Sequence, residues 1–259
     1  MNRKTKLTLF LFLLIFCSCT HVYETALFHQ DIAYIPKPAS FDTVKTATYV
    51  SAGYDGYANT NFNDFFDSWQ LNLSRGYVFK NFNLAFGAFG VAGLFQNQDA
   101  NTKEPHYFNN TFFGAYGGRA SANLFVNSGR LDFRYIGVEM AYSHEFGPYA
   151  NDLKYLSRLP GYFVDARTDL FTVGLTTEWY FHNINSLDGQ HGFRLFLGVT
   201  AGHDKLDDPS YFPAKRSFDT QPLPLFPRAS YFLKIKNYFG IVETGGLHTI
   251  LSLKVGYKF

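Results

Sequence analysis

The fold is decided by residues 247–259, which read LHTILSLKVGYKF. Mostly apolar side chains occupy every second position, and mostly polar residues or glycine fill the positions between them. Successive side chains of a β-strand point to opposite faces of its sheet. This period of two therefore predicts a strand with one apolar and one polar face.

The same alternation recurs along the chain in segments separated by turn residues. In residues 169–182 (DLFTVGLTTEWYFH), Phe, Val, Leu and Trp share one face, while Thr, Gly and Glu occupy the other. These patterns indicate an all-β protein. The predicted strands are residues 46–54, 66–79, 82–96, 110–126, 131–144, 169–182, 192–203 and 247–259.

The lengths of these strands favour an antiparallel transmembrane β-barrel over a soluble β-sandwich, which is the remote alternative. Several strands are much longer than the five or six residues usual in soluble sheets. Short and long connections alternate, and many apolar faces end in aromatic residues, as in outer-membrane barrels. The C-terminal strand, which ends in Phe259, is predicted to close the barrel.

The number of strands depends on residues 226–246. An even number is required if both ends of the barrel domain lie on the periplasmic side. Eight strands are favoured, with 226–246 as an outer hairpin or loop extension, because Tyr238 to Glu243 is shorter than the roughly 9–11 residues of a transmembrane strand. Ten strands are the alternative, because 226–236 also alternates.

The first residues have the layout of an export signal. Arg3, Lys4 and Lys6 precede an apolar run from Leu7 to Phe16, which is shorter than the roughly 20 residues of a transmembrane helix. Ser18-Cys19 follows and resembles the lipobox of bacterial lipoproteins, which implies a covalent lipid on Cys19. The predicted organisation is a signal peptide over 1–18, a periplasmic tether over 19–44 and a barrel over 45–259.

Composition excludes some classes of protein. Charged residues make up 17% of the chain, against about 25% ordinarily, and aromatic residues make up 19%. A disordered chain would be poor in aromatic residues. The formal net charge is only +2 and no basic stripe is present, so no nucleic-acid partner is predicted.

Charged residues on the polar faces of the strands are candidates for the barrel interior. Isolated charges there are costly, so they are expected to pair. The predicted structural ion network comprises Arg119, Glu139, Glu178, Arg194 and Lys254. A transport path is the minority interpretation.

No residues are assigned to catalysis or to a metal, and the protein is predicted not to be an enzyme. Ser143-His144-Glu145 is the most tempting cluster, but consecutive strand residues cannot all face one substrate. His182 and His191 flank a turn without the spacing of a metal site. No cofactor is expected beyond the lipid on Cys19.

Two further resemblances suggest where the protein acts. Val255-Gly256-Tyr257-Lys258-Phe259 resembles the C-terminal signal of outer-membrane barrels, which implies that Tyr257 and Phe259 are read by the barrel-assembly machinery. Cys19, followed by Tyr34-Ile35-Pro36-Lys37-Pro38 and aromatic-rich strands, resembles the uncharacterised lipidated outer-membrane β-barrel proteins of Bacteroidetes. The lack of acidic residues directly after Cys19 then implies a lipid anchor in the periplasmic leaflet of the outer membrane.

The expected role is structural or protein-interacting. The partners would be membrane lipids and another outer-membrane protein that contacts loops 145–168 and 204–225. The alternative is a porin-like barrel that transports or binds a small solute. An eight-stranded barrel has an interior just filled by side chains, which favours the first role.

Overall fold

The computed structural model describes residues 22–58, 64–97, 108–160, 162–182, 189–201, 225–245 and 249–259. The predicted signal peptide, Cys19 and nearly all of loop 204–225 lie outside these residues. Among the described residues, no helix is both long and apolar enough to span a bilayer.

The regular elements of the described residues are strands and one helix, α1, over Pro148–Leu156. Two short strands, β1 (Val22–Tyr23) and β7 (Phe163–Val164), pair with each other in parallel. The long strands are β2 (Thr46–Ala58), β3 (Asp64–Val78), β4 (Phe82–Asn97), β5 (Thr111–Asn127), β6 (Leu131–Phe146), β8 (Asp169–His182), β9 (Gly189–Ala201), β10 (Phe226–Ile235), β11 (Tyr238–Gly245) and β12 (Thr249–Lys258).

The long strands form a closed antiparallel barrel, in which β12 pairs with β2. It has ten strands, so the favoured count of eight is wrong and the alternative of ten is correct. Residues 226–246 contribute both additional strands, because β10 pairs with β9 and β11 pairs with β12. β11 reaches Gly245, two residues beyond the predicted segment, and its pairing on both sides compensates for its short length.

The two ends of the barrel differ in their connections. One end, called here the short-turn end, carries the turns at 79–81, 128–130 and 236–237, together with the start of β2 and the end of β12. The opposite end, the long-connection end, carries the segment between β6 and β8, which includes α1 and β7.

The outer face of the barrel is apolar and exposed, as the alternation predicts. Leu71, at the middle of β3, is 66% exposed, and Leu175 of β8 is 56% exposed. Aromatic side chains lie toward both ends of the outward faces: β8 has Phe171 at one end and Trp179 at the other, with Leu175 between them. Aliphatic residues therefore occupy the middle of the outer surface, between aromatic residues.

The inner face of the barrel places aromatic rings flat against glycines. Phe196 lies over Gly174 and Gly198, where an added Cβ would come within 2.5 and 2.3 Å of the ring. Any larger side chain at either glycine would push the ring into the lumen. The glycines thus keep the space at the centre of the barrel open for another element.

Candidate functional site: a luminal segment and the charged barrel wall

The lumen is occupied by the chain's own N-terminal segment. Every residue from Tyr23 to Ala39 is buried, although none of the segment after Tyr23 belongs to a helix or strand. We call Tyr23–Asp42 the luminal segment. The periplasmic tether predicted over 19–44 is therefore wrong for these residues, because the barrel wall and not solvent surrounds them.

The luminal segment begins at the long-connection end. The backbone N–H of Asp165 donates to the Tyr23 carbonyl (2.9 Å), and the Tyr149 hydroxyl of α1 donates to the Glu24 carbonyl (2.6 Å). The Tyr23 ring stacks on Phe108 at 5.3 Å between centroids. All three partners lie in the connections that follow β4 and β6, which fixes the position of Tyr23.

The segment ends at the short-turn end. Ser40 donates to Asp132, which is near the start of β6, and the Phe41 ring contacts His182 at the end of β8. Lys258, at the end of β12, forms a 3.0 Å salt bridge with Asp42. The luminal segment therefore crosses the whole barrel before β2 begins.

Acidic side chains of the wall bind backbone N–H groups of the luminal segment. Glu145 of β6 accepts from Leu27 (2.5 Å) and Ala26 (3.1 Å). Glu243 of β11 accepts from Tyr34 (3.0 Å). An extended peptide without a strand partner must satisfy its buried N–H groups in this way or lose stability.

Arginines of the wall bind its carbonyl groups. The guanidinium groups donate as follows: Arg119 of β5 to Asp31 (2.5 Å), Arg228 of β10 to His29 (3.2 Å) and Arg134 of β6 to Pro38 (3.1 Å). The charged side chains of the wall thus bind the backbone of the luminal segment and also pair with one another.

Prolines reduce the number of N–H groups that need a partner. Pro36 and Pro38 lack this donor and hold an extended backbone. Between them, Lys37 is 1% exposed and directs its ammonium group at the barrel wall. The sequence Tyr34-Ile35-Pro36-Lys37-Pro38, on which the family resemblance depends, is therefore the core of the luminal segment.

Lys37 connects the luminal segment to two predicted members of the ion network. Its ammonium group lies 2.6 Å from Glu178 and 3.8 Å from Glu139. It also donates to Ser121 (2.8 Å) and Asn123 (2.6 Å). A buried ammonium group has three donors to satisfy, and this pocket provides the acceptors.

The other predicted network residues are also buried in the wall. Arg194 is bonded to Glu139 and lies 3.7 Å from Glu243. Lys254 forms a 2.5 Å salt bridge with Glu243. Arg119 instead bonds Asn72 and the luminal segment, and its guanidinium lies 3.7 Å from the centre of the Phe89 ring.

Sequence reasoning missed Lys37, Arg134, Arg228 and Glu243. Lys37 lies in the segment predicted to be a tether, and Arg228 and Glu243 lie in the two strands that an eight-stranded barrel lacks. Arg134, which pairs with Glu178, is at an odd spacing from Glu139 and would face outward in a regular strand. An irregularity between Arg134 and Gly137 brings both side chains inward.

The cavity beside the middle of the luminal segment is small. A cavity next to Tyr34 and Arg119 measures about 20 Å³. A single water molecule needs roughly 10–15 Å³ measured in this way. A larger concavity of about 470 Å³ opens at the short-turn end, where Phe41, Asp42 and Lys258 form part of its lining.

The remaining candidate clusters do not converge. Ser143 and Glu145 face the lumen, whereas His144 lies on the other face and contacts Asp169 (2.9 Å). His182 contacts Phe41, and His191 stacks on Phe181 of the outer face. Within the described residues, no group of three or more His, Cys, Asp or Glu is placed to hold a metal ion.

The predicted contact loop 145–168 has two parts. Tyr149 is fully buried and packs on Phe66 and Phe95, so it caps the mouth of the barrel. Tyr155, on the opposite side of α1, is 52% exposed. Of these two tyrosines, Tyr155 is therefore the one accessible at the surface. The second predicted contact loop, 204–225, lies almost wholly outside the described residues.

The predicted assembly signal lies on the outer face at the short-turn end. Tyr257 packs edge-on against Tyr238, at 5.2 Å between centroids, and against Phe259, at 4.9 Å. Phe259 is 70% exposed, and its N–H donates to the Thr48 carbonyl (2.9 Å).

Comparison with known proteins returns structures but no family. No family model and no curated protein matches the chain. A bacterial polysaccharide outer membrane secretin has 8% identity and a TM-score of 0.35, and the match covers 83% of this chain and 97% of the other. The translocator domain of the autotransporter NalP from Neisseria meningitidis has 7% identity and a TM-score of 0.36, and the match covers 85% of this chain and 90% of the other. The beta domain of the Bordetella autotransporter Brka has 10% identity and a TM-score of 0.42, and the match covers 83% of this chain and 99% of the other. Likenesses this low carry no inference about function.

Proposed function

We propose that this protein is an outer-membrane β-barrel sealed by its own N-terminal segment, with a non-enzymatic structural or protein-interaction role at its long-connection end. The luminal segment is the observation that carries this proposal. Wall charges bind its backbone along the full length of the barrel, which leaves space for about one water molecule beside Tyr34. A barrel filled in this way supports a surface role better than it supports passage of a solute.

The outer face supports the membrane location. Exposed aliphatic residues at strand centres, flanked by aromatic residues, match the surface that a lipid bilayer requires of a barrel. Leu71 and Leu175 would otherwise expose apolar area to water, and contiguous patches of this kind are rare on soluble monomers. Arg75 points outward near the short-turn end and lies 5.7 Å from the Tyr77 ring, which suits a side chain that reaches the membrane interface.

The orientation follows from the connections. Outer-membrane barrels have short periplasmic turns and longer extracellular loops. This assigns the short-turn end to the periplasm and α1 to the cell surface. The exposed side of α1, with Lys154 and Tyr155, and the adjacent Arg158 are then among the described residues available to a partner.

Planar-bilayer conductance of the purified protein tests the sealed barrel. The natural chain should give no stable solute-sized steps, whereas a variant lacking residues 23–42 should conduct. A deletion of equal length over 204–223 is the matched control and should stay silent. Heat-modifiable migration on a gel checks that each variant is folded.

Two results would contradict the proposal. Stable steps from the natural chain would favour the porin-like alternative. Recovery of a folded monomer without detergent would remove the membrane barrel altogether.

A further inference from the structure

We propose that the chain leaves the barrel at the cell surface on the N-terminal side of Tyr23, so that Cys19 and any lipid it carries lie at the outer leaflet. This inference rests on the proposed membrane orientation. It reverses the periplasmic leaflet predicted from the residues that follow Cys19.

The direction of the luminal segment is the first step. Its contacts occur in chain order along the barrel: Glu24 with α1, Tyr34 with Glu243, Lys37 with Glu178, and Asp42 with the end of β12. The segment therefore enters the barrel at the long-connection end and leaves at the short-turn end, where β2 starts. Residues before Tyr23 are attached to the end that carries α1.

The reach of the chain is the second step. Three residues separate Cys19 from Tyr23. The four steps from one Cα to the other span at most about 3.6 Å each in a fully extended chain, or roughly 14 Å in total. The hydrocarbon core of a bilayer is about 30 Å thick. Cys19 cannot return to the periplasmic leaflet over that distance, whether inside or outside the barrel.

The anchorage of Tyr23 is the third step. Its backbone pairs with Val164, its ring packs on Phe108 and Tyr162, and Tyr149 holds the adjacent Glu24 carbonyl. Glu145 then binds the next turn through two backbone N–H groups. These contacts fix the exit point of the chain at the mouth of the barrel.

Amine labelling of intact cells tests the exit point. A His21→Lys variant of the full chain is treated with a membrane-impermeant amine-reactive biotin, and the labelled lysines are mapped. Lys154 on α1 and Lys236 in the turn after β10 are natural controls, because both are exposed, at opposite ends of the barrel. Permeabilised cells give the total reactivity of each lysine.

The expected result is labelling of the lysine at position 21 and of Lys154 on intact cells to the same extent as on permeabilised cells, with Lys236 labelled only after permeabilisation. Labelling of Lys154 without position 21 would overturn the inference and leave the proposed function standing. Labelling of Lys236 but not Lys154, or of neither, would overturn the orientation and with it both proposals. If the substitution prevents folding, an epitope inserted between Thr20 and His21 is read by antibody on intact cells, and the same outcomes apply.

Discussion

Replacement of Lys37 by methionine tests whether the luminal segment is fixed inside the barrel. Methionine keeps nearly the length of the side chain but removes the ammonium group. The carboxylate of Glu178 would then keep Arg134 as its partner but lose the 2.6 Å contact to Lys37, and Asn123 would lose a donor at 2.6 Å.

The expected cost is large because every partner is desolvated. Lys37 and Glu178 are 1% and 2% exposed, so water cannot replace the lost contact. Removing one partner of a buried ion pair typically costs about 3–5 kcal/mol of unfolding free energy. Arg134 still compensates Glu178, so we expect a value near the lower limit, about 3 kcal/mol.

Urea unfolding in detergent micelles measures this change. Lys80→Met is the matched control, because Lys80 lies in the exposed turn between β3 and β4, and substitutions at such positions usually change stability by no more than about 0.5 kcal/mol. A double variant that adds Glu178→Gln should show coupling of about 0.5–3 kcal/mol between the two positions. If Lys37→Met costs no more than Lys80→Met, Lys37 is not buried against Glu178, and the luminal segment is not fixed inside the barrel by this contact.

Two further predictions concern the luminal segment at the short-turn end and the outer face of the barrel. Burial raises the pKa of Asp42, but Lys234, Gln190 and Lys258 together hold it below its usual range; its ion pairs therefore stabilise the fold above the unfolded-state pKa of about 3.9. This contribution should be lost as the pH falls below that value. The difference in unfolding free energy between the natural chain and Asp42→Asn should therefore narrow in acid unfolding titrations. A difference that does not change with pH would contradict the ion pairing of Asp42. Leu71→Arg should cost about 2–4 kcal/mol in lipid bilayers, because Leu71 lies at the middle of β3 on the outer face; a change within about 0.5 kcal/mol would indicate that water, not lipid, surrounds this face.

The barrel was predictable because its outer face repeats one simple pattern. In β8 the alternation from Phe171 to Phe181 is broken only by Thr177, and its predicted bounds match the observed strand, Asp169–His182. Arg75, the exception on the outer face of β3, also lies near the strand end as a side chain that reaches an interface should. A strand between an apolar exterior and a polar interior must alternate apolar and polar residues. Such a strand can therefore be recognised in the sequence alone.

The strand count was less predictable because β11 is short and interrupted. Its eight residues include Gly245 at a positive φ of 107° and an irregular pairing next to Glu243. The shortness of β11 alone argued against a crossing. Its pairing with β10 and β12, a non-local property, makes it part of the barrel.

The luminal segment could not be recognised from local pattern. Residues 23–42 have neither helical nor strand periodicity, and a tether in solvent has the same appearance. Five of the wall charges were predicted, but sequence reasoning could pair them only with one another. In the structure Glu178 pairs with Lys37, and Arg119 donates to the Asp31 carbonyl, so the missing partners belong to a segment that the sequence assigns to no element.

The position of the luminal segment also constrains how the barrel can assemble. The seam of the barrel joins β2 to β12, the first and last of its strands, so closure needs the whole chain. A barrel that closed without the segment would leave Glu145 without the two backbone N–H groups that it binds, and Glu178 without Lys37. An acylated Cys19 could not pass later through a lumen whose free space beside Tyr34 is about 20 Å³. On the proposed topology the segment must therefore lie between the sheet edges before β2 meets β12, and the charges that hold it make its insertion and closure of the seam one cooperative step.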